Sequence, residues 1–400
     1  MTEKATREQT RILNRRLVLK TVYHGEEISR AEIARVTQLT RPTVSDRVAD
    51  LMEEGLVIEV GHGPSTGGKP PILVSVDRDA YHLICIDLSR RDFRGAITDL
   101  RGEIIHRDHR SLSKMDGDLA LSLVYDLLDA LVTTTDRPIL GIGVGTPGLI
   151  DAVNGVIVQA VNQDWRNVPL RRLLEDRYGI PVHMANDCQV AALGEYTFGD
   201  NGGVQNLVVI SVGWGIGSGI VLNGQLLHGN PLGAGEIGHV TVVENGKLCS
   251  CGHFGCLETV AGAEAIVQQV RELAQNRPGT PLESGPEEIT FDKVCEMFHA
   301  GDVDVRQIMR TAGQGLGIAA ANMIGTLGGC QIRLAGLLTC LGPFLLDVIR
   351  EEVSKRTLAA LAEKTHVDFA SLGNDIIIRG AAAMLLTQEL GVFQLPEHRL

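Results

Sequence analysis

Three cysteines within eight residues, Cys249, Cys251 and Cys256, follow His239 by ten to seventeen positions. No other feature of the 400-residue chain restricts its folding so tightly. Eight cysteines in a chain of this length do not make a disulfide framework, and three so close together are grouped as metal ligands are. Three thiolates and one imidazole complete a tetrahedral zinc shell with no position left for water, which implies a structural ion. To close that shell the chain from 239 to 256 must turn back on itself, and Gly252 and Gly255 permit it. His253 is an alternative nitrogen donor that spacing does not exclude. A chance group of free thiols is the rival reading, but thiols this dense invite oxidation. Cys85, Cys188, Cys295, Cys330 and Cys340 read as ordinary buried residues.

The length predicts two or three domains. A hydrophobic fraction of 44% with 22% charged residues excludes wholesale disorder. The net charge of −12 argues against general nucleic-acid affinity, but it is unevenly spread. Residues 1–80 hold 12 basic and 12 acidic side chains, so the acidity belongs to the body. Residues 1–16 are polar and basic, without the pattern of a leader, and no run is long and apolar enough to span a membrane. The expected location is the cytoplasm.

The head has its own pattern. In residues 8–23, Ile12, Leu13, Leu17, Val18 and Val22 share a helical stripe. Ser29 with Glu32 forms a capping box for a second helix, and Pro42 fixes the first turn of a third. Residues 56–60 and 71–76 then read as the two strands of a wing. This order is that of a winged helix-turn-helix, with a small helical dimerisation module and hairpin as the rival. On the third helix Arg41 suits phosphate or base-edge contact, and Thr43 and Ser45 suit bases. Arg47 and, in the wing, Lys69 suit flanking phosphates.

From about residue 80, strands alternate with helices, and polar or glycine-rich segments sit at the strand ends. These include Asp87-Leu88-Ser89-Arg90-Arg91, Gly145-Thr146-Pro147-Gly148 and Ala185-Asn186-Asp187. A glycine turn is expected over 213–219, and Gly235-Glu236-Ile237-Gly238-His239 and Glu258 flank the cysteine cluster. The pattern predicts an α/β fold with a ligand cleft. Asn186, Asp187, Glu236, His239 and Glu258 offer the acceptors and donors that sugar hydroxyls need.

Taken together, these motifs resemble the ROK family of repressors, open reading frames and sugar kinases. The most specific match is Gly235-Glu236-Ile237-Gly238-His239 followed by Cys249-x-Cys251-Gly252-x-x-Gly255-Cys256-x-Glu258. The resemblance runs from about residue 80 to the C-terminus, and the winged head is similar to that of the family's repressor branch. It implies an N-terminal winged helix-turn-helix followed by an actin-like, two-lobed, sugar-kinase-like fold. The expected domains are 1–78 for DNA binding, 79–195 for the first lobe and 196–400 for the second, with the last helix free to return to the first. It also implies that Asn186, Asp187, Glu236, His239 and Glu258 hold a sugar in the interlobe cleft, with Gly148 close by, and that His239, Cys249, Cys251 and Cys256 hold structural zinc.

In the family's kinases the residue matching Asp187 is the general base, so its presence does not separate kinase from repressor. The departures do. Asp87-Leu88-Ser89-Arg90 lacks the glycine of the phosphate motif, Trp214 replaces a small hydroxyl residue, and Leu334-Ala335-Gly336 replaces a Gly-Gly pair. The expectation is a sugar-responsive transcriptional regulator, a repressor and not an enzyme. Its expected partners are operator DNA and a sugar or sugar phosphate, and its expected assembly is a homodimer or homotetramer. The rivals are an ATP-dependent sugar kinase with a DNA-binding head, and a regulator whose body docks a transport protein.

Overall fold

Capping residues set the helices of the head. Thr6 and Gln9 bond reciprocally at the start of α1 (Arg7–Gly25). After β1 (Ile28–Ser29), the Ser29 hydroxyl accepts from the Glu32 backbone N–H and opens α2 (Arg30–Thr37). Thr40 does the same for Thr43 at the start of α3 (Arg41–Glu53), with Pro42 in the first turn. Val18, Leu19 and Val22 of α1 are buried, as are Ile33 of α2 and Val44, Val48 and Leu51 of α3. Ile12, Leu13 and Leu17, expected in the same stripe, are exposed. That half of α1 is tied to α3 by ion pairs instead, Arg11 to Asp50 at 3.2 Å and Arg15 Nε to Glu54 at 3.1 Å. The wing strands β2 (Val57–His62) and β3 (Ile72–Val76) are antiparallel, and β3 also pairs with β1.

The computed structural model describes residues 6–64, 70–89, 92–113, 116–200, 202–229, 233–275 and 289–393. The chain divides into two compact units, residues 1–187 with 378–400, and residues 188–377. The head and the first lobe thus form one unit. The division between the units falls at Asp187/Cys188, in the first turn of α6 (Asp187–Phe198).

In the first unit, β4 (His82–Asp87), β5 (Asp92–Thr98) and β6 (Ile104–Ser111) form an antiparallel meander. Helix α4 (Gly117–Thr134) leads to β7 (Ile139–Thr146), which pairs parallel with β4. A small antiparallel sheet of β8 (Leu149–Asp151), β9 (Val156–Ala160) and β10 (Trp165–Val168) follows. Then α5 (Leu170–Tyr178) brings β11 (Val182–Asn186) parallel to β7, so the main sheet has the order β11-β7-β4-β5-β6. Its core joins Ile84, Ile86, Ile142 and Val144 of the sheet to Leu127, Leu128 and Leu131 of α4.

The second unit repeats this plan. After α6 come β12 (Leu207–Val212), β13 (Ile216–Leu222) and β14 (Gln225–Leu226), again antiparallel. Helices α7 (Glu258–Ala261), α8 (Ala263–Gln275), α9 (Phe291–His299) and α10 (Val303–Leu327) precede β15 (Gln331–Gly336), parallel to β12. Next, α11 (Pro343–Arg356) and α12 (Ala359–Ala362) lead to β16 (Val367–Phe369), parallel to β15. The sheet order β14-β13-β12-β15-β16 matches that of the first unit, the duplication that a two-lobed, actin-like fold requires.

The last helix, α13 (Ile376–Leu385), carries the chain back into the first unit. There β7 makes room for it: a Cβ on Gly143 would lie 2.8 Å from the Ala381 carbonyl oxygen, and one on Gly141 2.7 Å from Leu385.

Two further expectations change. The glycine turn covers only 213–215, because Gly217 and Gly219 belong to β13. Their role is close packing, since a Cβ on Gly219 would lie 2.0 Å from the Cys188 carbonyl oxygen. Cys295 and Cys340 are not isolated thiols but form a disulfide between α9 and the turn after β15, whereas Cys85, Cys188 and Cys330 are buried and outside any disulfide. Spacing gave no sign of this pair, 45 residues apart.

Candidate functional site

The side chains singled out in the sequence fall on the head, on the first unit and on the second. On α3, Arg41 and Ser45 are exposed and Thr43 is half-buried, its hydroxyl 2.8 Å from that of Thr40. Val44, Val48 and Leu51 face inward, so the helix presents its N-terminal polar positions outward. Arg47 is placed differently: its side chain is 14% exposed and Nη1 lies 2.7 Å from Asp50 Oδ2 on the same helix. Lys69, and the pair Arg90 and Arg91 that follows Ser89, lie outside the described residues.

In the first unit, ligand-type residues gather at the carboxyl ends of β7 and β11. Asn186 pairs in register with Thr146, and its Nδ2 donates to the Gly148 carbonyl at 3.2 Å. Gly148 has φ +92°, and a Cβ there would lie 2.1 Å from the Gln159 carbonyl oxygen. Both facts make glycine obligatory at this turn. Asp187 opens α6.

At the neighbouring end of β4, the Asp87 carboxylate is fully buried. Oδ1 accepts from the Ser89 backbone N–H at 2.9 Å, while Oδ2 is paired with Arg94, directly opposite on β5. The phosphate-motif carboxylate is therefore already occupied by a guanidinium. Gln163, also fully buried, donates from Nε2 to the Leu88 carbonyl at 2.8 Å and fixes the same strand end. Sequence reading missed both residues. Arg94 had a signal, an arginine five positions after the turn that starts at Asp87-Leu88-Ser89, but pairing across a hairpin depends on register. Gln163 had none.

In the second unit, glycines let the chain fold tightly under the proposed ligands. Gly235 has φ +105°, and a Cβ on it would lie 1.8 Å from the Ser218 carbonyl oxygen. The short turn Ile237–His239 follows, with Glu236 and His239 exposed. Glu258 Oε2 accepts from the Ile216 backbone N–H at 3.2 Å, which sets this carboxylate against the 213–215 turn.

The donor atoms of His239, Cys249, Cys251 and Cys256 all lie within 4.8 Å of one another. Cys251 Sγ is 3.6 Å from Cys256 Sγ, and Cys249 Sγ is 3.5 Å from His239 Nδ1. A tetrahedron with zinc–sulfur bonds of about 2.3 Å has edges of about 3.8 Å between sulfurs and slightly less to nitrogen. The residues present fit that ion. Burial pushes the Cys256 thiol up to about 12, and the backbone N–H of His253 lowers that of Cys251. With the Cys256 thiol pushed that high, a cation among the three sulfurs is what would hold them all as thiolates at neutral pH. Between the two histidines weighed earlier, the gathered set contains His239, with Nδ1 facing the thiols and Nε2 left on the far side of the ring. His253 touches the edge of the cluster, Nδ1 being 3.6 Å from Cys251 Sγ.

Among the described residues, no helix is long and apolar enough to cross a membrane. The ROK family profile matches residues 83–388, and a winged helix-turn-helix DNA-binding profile matches residues 13–58. A xylose repressor from Caldicellulosiruptor bescii is 31% identical over 384 residues, covering 94% of this chain and 96% of its own length. A solved ROK family transcriptional regulator, a homolog of the Escherichia coli MLC protein, superposes with a TM-score of 0.84 at 25% identity, covering 96% of this chain and 98% of the other. A ROK family glucokinase from Streptomyces griseus, solved with glucose and AMPPNP, superposes with a TM-score of 0.68 at 25% identity. It covers 76% of this chain and 98% of its own.

Proposed function

Because this chain belongs to the ROK family and carries a winged helix-turn-helix head, we propose that it is a sugar-responsive transcriptional repressor acting in the cytoplasm. The observation that carries the reading is the head itself. Its third helix turns an apolar face inward and leaves Arg41, Thr43 and Ser45 at its outer start, where a recognition helix meets base edges and phosphates. Arg41 takes a phosphate or a base edge, and Thr43 and Ser45 read bases. Arg47 is committed to Asp50 and reaches a flanking phosphate only by leaving it. Lys69 is the further cation proposed to meet the DNA backbone. Two heads in a homodimer or homotetramer meet half-sites about one helical turn, roughly 34–36 Å, apart.

The effector is a free sugar of the pentose class. Its proposed ligands are Gly148, Asn186, Asp187, Glu236, His239 and Glu258. His239, Cys249, Cys251 and Cys256 hold one structural zinc, which neutralises the thiolates and fixes the imidazole so that Nε2 faces a sugar hydroxyl. The body does not transfer phosphate: the turn after Asp87 lacks the glycine that lets the backbone approach nucleotide phosphates, and the Asp87 carboxylate is already paired with Arg94.

Thermal-shift screening of the purified protein against D-xylose, D-glucose and their phosphates tests the sugar reading, because a ligand of the folded state raises the midpoint. D-xylose should give the largest rise. A flat response to the whole panel sinks the sugar reading, and ATP-dependent turnover of any of these sugars, abolished by Asp187→Asn, sinks the non-enzymatic one.

A further inference from the structure

The end of α13 closes on the DNA-reading head. Beyond Leu385 the helix widens into a π-turn (Leu386–Leu390), a feature often found at functional positions. The chain then ends its described course at Phe393, whose ring meets Tyr23 of α1 edge-on at 5.2 Å and His24 at 5.5 Å. His24 Nε2 is 3.0 Å from the Val392 carbonyl oxygen. On the other side of Tyr23, the Arg101 guanidinium lies 4.4 Å from the ring centre and donates from Nη1 to the Tyr23 carbonyl at 2.6 Å. That carbonyl belongs to the last turn of α1, where no intrahelical donor is available and a cation is favoured.

Arg101 is not free to wander. It belongs to the β5–β6 turn, which is built on Asp99. This buried carboxylate accepts from the backbone of Arg101 at 2.8 Å, from that of Glu103 at 2.9 Å, and from Arg78 Nε at 2.6 Å. Arg78 lies on the segment leaving the wing, and Glu103 pairs with Arg379 of α13 at 2.5 Å. The turn thus grips the head, its linker and α13 together.

The other end of this assembly is the pair of strands that carry the ligand residues. Strand β7, which runs into the Gly148 turn, is in backbone contact range of α13 at Gly143 and Ala381. Strand β11, which ends in Asn186, bears His183, whose Nε2 is 2.6 Å from Glu389 Oε1 on the π-turn. A continuous set of contacts inside the first unit therefore leads from Gly148 and Asn186 to α13, the π-turn, Phe393 and the end of α1.

We infer that the segment from α13 to Phe393 is the coupling element of the repressor: it transmits effector binding at β7 and β11 to the DNA-reading head through Tyr23, His24 and Arg101. This rests on the sugar-responsive reading above and adds the route by which the response reaches DNA. Coupling of this kind is an interaction free energy between two sites and typically changes affinity by about 5–150-fold.

The test uses full-length wild type, Phe393→Ala and Arg101→Gln, neither change touching a proposed sugar or DNA contact. D-xylose binding is measured by calorimetry, and affinity for an operator selected from random duplexes is measured with and without saturating D-xylose. In both variants, sugar affinity and sugar-free DNA affinity should stay within about threefold of wild type, while the factor by which D-xylose weakens the DNA complex falls from about tenfold or more toward one. Variants that retain the full wild-type factor overturn the inference. Hydrogen exchange separates its failure from that of the repressor reading. If no sugar of the panel alters wild-type operator binding, the sugar-responsive reading fails, and the joint is judged on exchange alone. Phe393→Ala must then speed amide exchange at 22–25, and unchanged exchange there overturns it.

Discussion

Arg94→Met keeps most of the aliphatic stem of Arg94 and removes the charge that faces Asp87. The Asp87 side chain is 1% exposed and that of Arg94 23%, so the variant strands a carboxylate away from water. Breaking a buried pair from one side costs about 3–5 kcal/mol. The Ser89 N–H remains as a donor and Arg94 is partly solvated, which places this case near about 3 kcal/mol. For a unit of this size each kcal/mol moves the midpoint by roughly 2–4 °C, so its calorimetric transition should fall by about 6–12 °C. The double variant Asp87→Leu/Arg94→Met removes both charges and should recover at least about 2 kcal/mol of the loss. Scanning calorimetry of the three proteins side by side decides the matter. A single-variant loss under about 1 kcal/mol, or a double variant no better than the single, would refute the view that Arg94 is the partner that holds the buried Asp87 carboxylate.

Metal analysis of freshly purified protein should find about one zinc per chain, and Cys251→Ala should lower both the thermal midpoint and D-xylose affinity; protein stable and sugar-competent with no metal contradicts the zinc assignment. Gly148→Ala meets a backbone oxygen at 2.1 Å and a left-handed φ that costs about 1–2 kcal/mol by itself, so the D-xylose thermal shift should disappear; an unchanged shift removes Gly148 from the ligand set. On α3, Arg41→Ala should weaken operator binding and lower the salt slope by about one, Thr43→Ala and Ser45→Ala should alter which operator is preferred, and Arg47→Ala should do less than Arg41→Ala because its guanidinium is held by Asp50.

Local rules made much of this molecule legible. The cap at Ser29 and the proline at 42 mark helices of the head because they act within four residues. The cysteine cluster was readable for the same reason, since its donors close a single loop. Long-range facts were not. The exposure of Ile12, Leu13 and Leu17 depends on where α3 packs, and the Cys295–Cys340 bond depends on how α9 meets the turn after β15. Arg47 was legible as a cation on the third helix, yet its partner three residues on, Asp50, turns it aside. Gly217 and Gly219 look like part of a glycine turn in sequence and prove to be packing positions against α6, a distinction that needs the neighbouring helix.

The central claim is that a sugar held by the ROK body controls a DNA-reading head. Fluorescence anisotropy of a labelled operator, selected from random duplexes with the full-length protein, measures this directly when titrated at zero and saturating D-xylose. The account predicts sequence-selective binding without sugar, and an affinity at least about fivefold weaker with it. Binding that shows no sequence preference in either condition, or selective binding that neither D-xylose nor any other sugar in the panel alters, would contradict it.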